Sequence, residues 1–349
     1  MLFAVIKIFI LSVSSFFLAW VLTPLLTKLL YKYKLGKQIR DDVSAPIFFK
    51  LHQGKSGTPT MGGILIWFTA AVLALGIFYL SRLTNFAALI NLNFLSRSQT
   101  WLPLGVLVAS ALVGLVDDFF NTRRIGPRGG GLTMRYRILI YALIAAVGAW
   151  WFYYKLDRNS IHIIFLGDYL LNWWYIPFFI FIIVATAFSV NEIDGLDGLA
   201  GGTLLAAFGA YGAISFVQGK IDLAAFCGVI IGALIAFLWN NIYPAKFFMG
   251  DTGAMSLGVT LGVLAMLTDT VFLLPFIGLL FVIESLSVII QVISKKIRKK
   301  KVFLSSPIHH HLEAKGWPEP KIVMRFWLIS WITAISGLII FLAERLIGK

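Results

Sequence analysis

Ten runs, each close to the roughly 20 apolar residues that a helix needs to cross a bilayer, follow one another along this 349-residue chain. A helix at the surface of a water-soluble core carries a polar face, and most of these runs carry none. With 59% of residues hydrophobic and 13% charged, the pattern predicts an all-α, polytopic integral membrane protein with about ten transmembrane helices. The spans fall at 2–30, 61–80, 101–120, 136–154, 174–190, 198–217, 222–241, 252–268, 271–294 and 324–347. Short connections join them, with no flexible linker and no internal repeat, so 1–349 reads as a single transmembrane domain. The first run is too long for the apolar part of a signal peptide and lacks a small-residue cleavage site, which makes it a retained span. The lone Cys227 excludes an internal disulfide and a Cys-based metal site.

An even number of spans puts both termini on one side. Segments 31–60, 121–135, 191–197, 242–251 and 295–323, with their flanking helix ends, hold 22 of the 30 Lys and Arg, and the other side holds 8. The positive-inside rule makes the first side cytoplasmic and puts both termini in the periplasm. The formal charge of +14 is then a signal of topology, and no nucleic-acid partner is expected. The same count places every polar motif on the cytoplasmic side, which is where an active site is expected. On the outer side, His162 and Asp269 read as solvated.

Acids near hydrocarbon are costly unless a cation, water or a partner offsets them. Asp117-Asp118 ends the third span. Asn191-Glu192-Ile193-Asp194-Gly195-Leu196-Asp197-Gly198 lies between two spans. Its glycines favour a loop that folds back into the protein. Phe248-Met249-Gly250-Asp251-Thr252-Gly253 opens the eighth span, where Asp251 could cap a helix, bind metal, or do both. Asn241 ends the span before it. Pro307-Ile308-His309-His310-His311-Leu312-Glu313 lacks zinc spacing and suits phosphate contact or proton transfer. Gly54-Lys55-Ser56-Gly57-Thr58-Pro59-Thr60-Met61-Gly62-Gly63 lacks the first glycine of a P-loop. It is either a phosphate-holding turn or the bend into the second span. Glu284, inside the ninth run, is either functional or a hydrogen bond between helices.

Asp117, Asp118, Asp194, Asp197 and Asp251 thus converge on one face, where a hard divalent cation would relieve their repulsion. Oxygen ligands without thiolate select Mg²⁺ or Mn²⁺. Such a site, flanked by Lys, Arg and His, points to phosphoryl transfer between a soluble nucleotide and a lipid phosphate.

These motifs, together with Lys315-Gly316-Trp317, resemble end to end the MraY family of bacterial phospho-N-acetylmuramoyl-pentapeptide transferases. That family lies within the polyprenyl-phosphate N-acetylhexosamine-1-phosphate transferase superfamily. The acid motifs are shared across the superfamily, and the triple-His segment with Lys-Gly-Trp is particular to the family. The resemblance implies ten spans in the bacterial inner membrane and a Mg²⁺-dependent reaction. UDP-MurNAc-pentapeptide and undecaprenyl phosphate give lipid I and UMP in peptidoglycan synthesis. It implies Asp251 as metal ligand and Asp117 as the acid acting on the lipid phosphate, as base or nucleophile. Asp118, Asp194 and His309 join these as catalytic. Lys55, Thr58, Asn191, Asp197, Asn241, His310, His311 and Arg137 are expected on the substrate side, and a homodimer is expected. Two positions depart from the family: Arg137 replaces the usual Lys, and Glu192-Ile193 replaces Leu-Thr. A GlcNAc-1-phosphate transferase, an ion-coupled transporter and a non-catalytic scaffold are the alternatives. The triple-His segment opposes the first. Acids at helix ends rather than mid-membrane oppose the second, and the full acid set opposes the third.

Overall fold

The computed structural model describes residues 1–36, 51–84, 86–96, 99–126 and 130–347. Parts of two basic segments used in the sidedness count, 37–50 and 127–129, lie outside the described residues. The helices are α1 (Leu2–Lys32), α2 (Ile64–Thr84), the short α3 (Ala87–Leu92), α4 (Trp101–Thr122) and α5 (Met134–Lys155). They continue with α6 (Tyr175–Ile193), α7 (Leu199–Val217), α8 (Ile221–Asn241), α9 (Gly250–Leu267) and α10 (Leu274–Ile277). The last three are α11 (Leu279–Ile297), α12 (Ile308–Ala314) and α13 (Glu319–Ile347). Among the described residues nine helices are long and apolar enough to cross a membrane, and one bent pair makes a tenth. The chain is a multi-pass membrane protein.

The bent pair corrects the expected continuous span at 271–294. Residues 271–277 and α11 meet at 82°, with Gly278 between them and Pro275 in the first turn of α10. Pro cannot extend a helix backwards and Gly does not hold one straight, so the apolar run breaks there. A second addition to the all-helical plan is a small antiparallel hairpin, Ser160–Ile163 (β1) with Gly167–Leu170 (β2). It lies at the ends of the helices opposite the acid motifs.

Helix α9 is the centre of the bundle. Its most apolar window is 94% buried, against 22% for α1. Small residues allow this. A side chain at Gly258 would meet Ala187 Cα at 2.8 Å, and one at Gly262 would meet Thr186 Oγ1. The Gly258-x-x-x-Gly262 face therefore lets α6 approach as closely as small-residue stripes do in membranes. Around this centre, α1 packs on α8, α4 and α6 pack on α9, and α13 packs on α7. Outer helices turn Phe9, Trp20, Leu328 and Ile332 outward, which lipid tolerates and water does not. Many hydroxyls within the spans bond a carbonyl of their own helix, as Thr23 to the Ala19 carbonyl at 2.9 Å and Thr260 to that of Ser256 at 2.7 Å, while Ser15 reaches across to the Val229 carbonyl at 2.6 Å. Such bonds satisfy a hydroxyl where no water reaches it.

Candidate active site: a carboxylate cluster at one end of the bundle

The ends of α4, α6 and α9 and the start of α5 meet at one point. Asp117, in the last turns of α4, has a fully buried side chain. Its Oδ1 accepts the Leu132 N–H at 2.5 Å, and its Oδ2 pairs with Arg137 Nε at 2.7 Å. From the first turn of α5, the same guanidinium reaches Asp251. Its two terminal nitrogens lie 2.8 Å from Asp251 Oδ2 and 3.3 Å from Oδ1. Asn191, near the end of α6, donates from Nδ2 to Asp251 Oδ1 at 2.5 Å and accepts from Arg137 at 3.3 Å. Two carboxylates from different helices thus share one guanidinium.

Asp118 does what was open to Asp251. The N-cap position of α9 is Met249, and Asp251 is in its first turn. The Asp118 carboxylate accepts the Asp251 N–H at 3.1 Å and the Thr252 N–H at 3.0 Å. It thereby satisfies two of the unpaired donors at the N-terminus of α9 and meets the positive end of its dipole. Asp194 accepts the Gly250 N–H at 3.2 Å. These two acids fix the backbone that carries Asp251. Asn191, Asp194 and Asp197 do not line one helix face, because α6 ends at Ile193 and the chain turns back.

Asp197 belongs to a neighbouring knot. Lys55 Nζ lies 2.6 Å from Asp197 Oδ1 and 2.5 Å from Glu319 Oε1. Glu319 also accepts the Asp197 N–H at 2.7 Å, and Asp197 Oδ2 accepts the Ala245 N–H at 3.0 Å. Asn241 ties the same loops, accepting from Gly198 N at 3.0 Å and donating to the Phe247 carbonyl at 2.9 Å. The glycine-rich turn forms the bend into α2. Gly62 and Gly63 give their N–H groups to the Phe248 and Met249 carbonyls, both at 2.8 Å, and Pro59 accepts the Phe248 N–H at 2.8 Å. Thr58 is half-buried in this turn, its N–H on the Lys55 carbonyl at 3.2 Å.

The triple-His segment forms α12 and is held by two acids. Glu284, fully buried in α11, accepts the Ile308 N–H and His309 Nδ1, both at 3.0 Å. Glu284 is therefore an interhelical anchor that also orients a histidine. Among the described residues His309 Nε2 is buried without a partner, and it lies against Gly195, where any side chain would strike it. Burial opposes its charged form, yet Glu284 lifts its pKa above the ordinary imidazole value. Glu313 accepts from His310 Nδ1 at 2.6 Å and from His52 Nε2 at 3.1 Å. Burial and the adjacent His309 lower His310 to about 3, leaving a neutral ring. Burial opposes the charge of Glu313, but hydrogen bonds from His310 and His52 hold it at about 2. The three ligand atoms of His52, His310 and Glu313 lie within 4.8 Å of one another. Their spacing is that of hydrogen bonds, and they staple residues 51–55 to α12. His311 turns to the rim, accepting the Leu304 N–H at 3.1 Å.

The structure thus brings Asp117, Asp118, Asn191, Asp194, Arg137 and Asp251 into one cluster. Lys55, Asp197 and Asn241 stand in an adjoining knot, and His309 and His310 pack behind the Gly195 turn. Glu319, His52 and Glu313 went unremarked in sequence as site residues. An acid opening a span, Glu319, is the same signal as Asp117-Asp118 ending one. The donor set facing the cluster is carboxylate and amide oxygen. It offers Mg²⁺ the one or two carboxylates it commonly takes before completing its shell with water and substrate phosphate, so the residues fit that ion.

The helical membrane fold and this site define a polytopic membrane protein with a carboxylate cluster at one end of its bundle. Residues 100–269, which hold the cluster, match the family model Glycosyl transferase family 4. Residues 55–66 match signature 1 of the phospho-N-acetylmuramoyl-pentapeptide-transferases. Proteins named phospho-N-acetylmuramoyl-pentapeptide-transferase are similar throughout. One from Geobacillus sp. (strain WCH70) is 40% identical over 332 residues, covering 94% of this chain and 96% of the relative. One from Chloroflexus aggregans is 39% identical over 320 residues, covering 88% and 82%. One from Thermodesulfovibrio yellowstonii is 37% identical over 347 residues, covering 93% and 90%. The chain belongs to the phospho-N-acetylmuramoyl-pentapeptide-transferase family.

Proposed function

We propose that the acid cluster is where this chain moves phospho-MurNAc-pentapeptide from UDP-MurNAc-pentapeptide to undecaprenyl phosphate, giving lipid I and UMP for peptidoglycan synthesis. The observation that carries this is the convergence of Asp117 and Asp251 from two helices onto one guanidinium. The reaction exchanges one phosphoanhydride for another. The phosphorus bearing the sugar leaves an oxygen of UMP and bonds to an oxygen of the lipid phosphate. Such transfers ask a protein chiefly for positioning and charge.

Asp251 would hold Mg²⁺, with Asp117 beside it. Bound there, it would offset charge on the diphosphate. Asp117, fixed through both oxygens, accepts the proton of the lipid phosphate as that oxygen approaches phosphorus. Asp118 and Asp194 hold the α9 backbone so that Asp251 stays in place. Asn191 and Arg137 orient the two carboxylates. Lys55, Thr58, Asp197, Asn241, His309, His310 and His311 form the nucleotide and diphosphate side, with Lys55 the partly exposed cation.

An apolar cavity of about 210 Å³ between α6 and the α10–α11 bend supports a prenyl substrate. Its lining runs from Phe181 to Ser189 and Val190, next to Asn191. The acid face is cytoplasmic and both termini are periplasmic, in the bacterial inner membrane, an orientation supported by the Lys and Arg bias. The homodimer is carried over from the family resemblance.

With undecaprenyl phosphate present, purified protein is expected to release UMP from UDP-MurNAc-pentapeptide and not from UDP-GlcNAc. Turnover of UDP-GlcNAc alone would overturn the donor assignment.

A further inference from the structure

The Arg137 guanidinium takes more of Asp251 than an ordinary ion pair does. Its terminal nitrogens engage both carboxylate oxygens, at 2.8 and 3.3 Å, and Asn191 Nδ2 adds a bond of 2.5 Å to Oδ1. Nε meanwhile holds Asp117 Oδ2 at 2.7 Å. Each oxygen that Asp251 could offer a cation therefore already accepts a charge-assisted hydrogen bond. A planar fork can do this for two carboxylates at once, and a point-charge ammonium cannot. Two carboxylates sharing one guanidinium retain one net negative charge between them. Adding a divalent cation turns that sum positive, which suits an incoming diphosphate.

We infer that Arg137 is the resident counter-cation of the Asp117–Asp251 pair, and that a divalent cation reaches Asp251 by displacing its guanidinium fork. Arg137 then sets the metal affinity of the site. With no metal bound it keeps the two acids from repelling each other. With metal bound, the freed fork turns to the phosphate oxygens of the substrate, whose geometry it matches. This rests on the proposed role of Asp251 as metal ligand.

The test is direct Mn²⁺ binding to detergent-purified protein without substrate, followed by electron paramagnetic resonance, in wild type, Arg137→Lys, Arg137→Met and Asp251→Asn. Arg137→Lys and Arg137→Met are expected to bind about tenfold more tightly than wild type, and Asp251→Asn to lose the site. Thermal melting gives a second readout. Without metal, Arg137→Met is expected to melt below wild type, and to gain more from added Mg²⁺, because ligand stabilisation grows with affinity. Arg137→Lys keeps a cation and serves if Arg137→Met does not fold. Unchanged or weaker Mn²⁺ binding in both Arg137 variants, with Asp251→Asn still losing the site, would overturn the inference and leave the metal role of Asp251 standing. Equal Mn²⁺ binding by wild type and Asp251→Asn would overturn both.

Discussion

The two ends of this helical bundle each carry a polar assembly, and they are built differently. At the end opposite the acid cluster, His162 lies between Asp168 at 2.6 Å and Glu344 at 2.9 Å, and Arg158 stands 3.5 Å from Asp269. The side chains are open, with Asp168 71% and Arg158 41% exposed. Lys220, lowered to about 8 by burial and by Arg158, donates to Gln218 and to the Leu267 carbonyl, both at 2.7 Å. Charges there are matched locally and tie β1, β2 and α13 together. At the other end Asp117 is fully buried and shares its cation with Asp251. Matched, exposed charge marks a boundary and contributes little. Buried charge short of counter-charge must be sustained by something further, and the proposed metal and phosphorylated substrate would supply it.

Variants at the two ends should therefore behave differently. Among variants that keep the proposed metal ligand Asp251, the largest effect is expected from Asp117→Asn, with turnover falling about 10²- to 10⁴-fold while UDP-MurNAc-pentapeptide still binds. Calorimetry on the variant checks this, and loss of nucleotide binding would move Asp117 to the nucleotide site.

An intermediate effect is expected from Glu284→Gln, which keeps shape but removes the charge facing His309. Turnover should drop about ten- to hundredfold, with Glu284→Asp partly restoring it. Glu284, Glu313 and Glu192 all act on the His309 ring, and the His310 ring packs against it at 4.0 Å between centroids. With Glu284 neutral, the elevated pKa of His309 falls, so the proton is lost at lower pH and that limb of the rate profile shifts to the acid side. An unmoved profile would leave Glu284 as an anchor for α12 alone.

The smallest effect belongs to the opposite end. Burial disfavours the charged His162 ring, but Asp168 and Glu344 raise its pKa above the ordinary value. Its contribution to stability is therefore full below the unfolded imidazole pKa, and is lost as pH rises through the raised folded one. His162→Ala should flatten that pH dependence and lower the melting temperature by no more than about 2 °C, with turnover unchanged.

The same contrast shows what could be read from sequence. Hydropathy periods gave most spans to within a few residues, as 2–30 against Leu2–Lys32 and 222–241 against Ile221–Asn241. Crossing a bilayer is a local property of composition. The break at Gly278 was missed because the run stays apolar through it, although Pro275 and Gly278 carry the signal. The acid motifs were legible because carboxylates are out of place in such a chain. Their partners were not, since Asp118 meeting the N-terminus of α9, or Lys55 choosing Glu319, depends on contacts between residues 133 and 264 positions apart. For His162 and Asp269, expected to be solvated, the structure shows paired groups, because the hairpin folds His162 onto the end of α13.

The central claim is that the Asp117–Asp251 pair is a Mg²⁺-dependent phosphoryl-transfer site. The most direct measurement is UMP release from UDP-MurNAc-pentapeptide by wild type and Asp251→Asn, with and without undecaprenyl phosphate, before and after chelation. The expected result is release that requires both the lipid phosphate and Mg²⁺, is restored by added Mg²⁺, and is absent in Asp251→Asn at ordinary Mg²⁺. Full release by the chelated protein, or by Asp251→Asn at ordinary Mg²⁺, would contradict it.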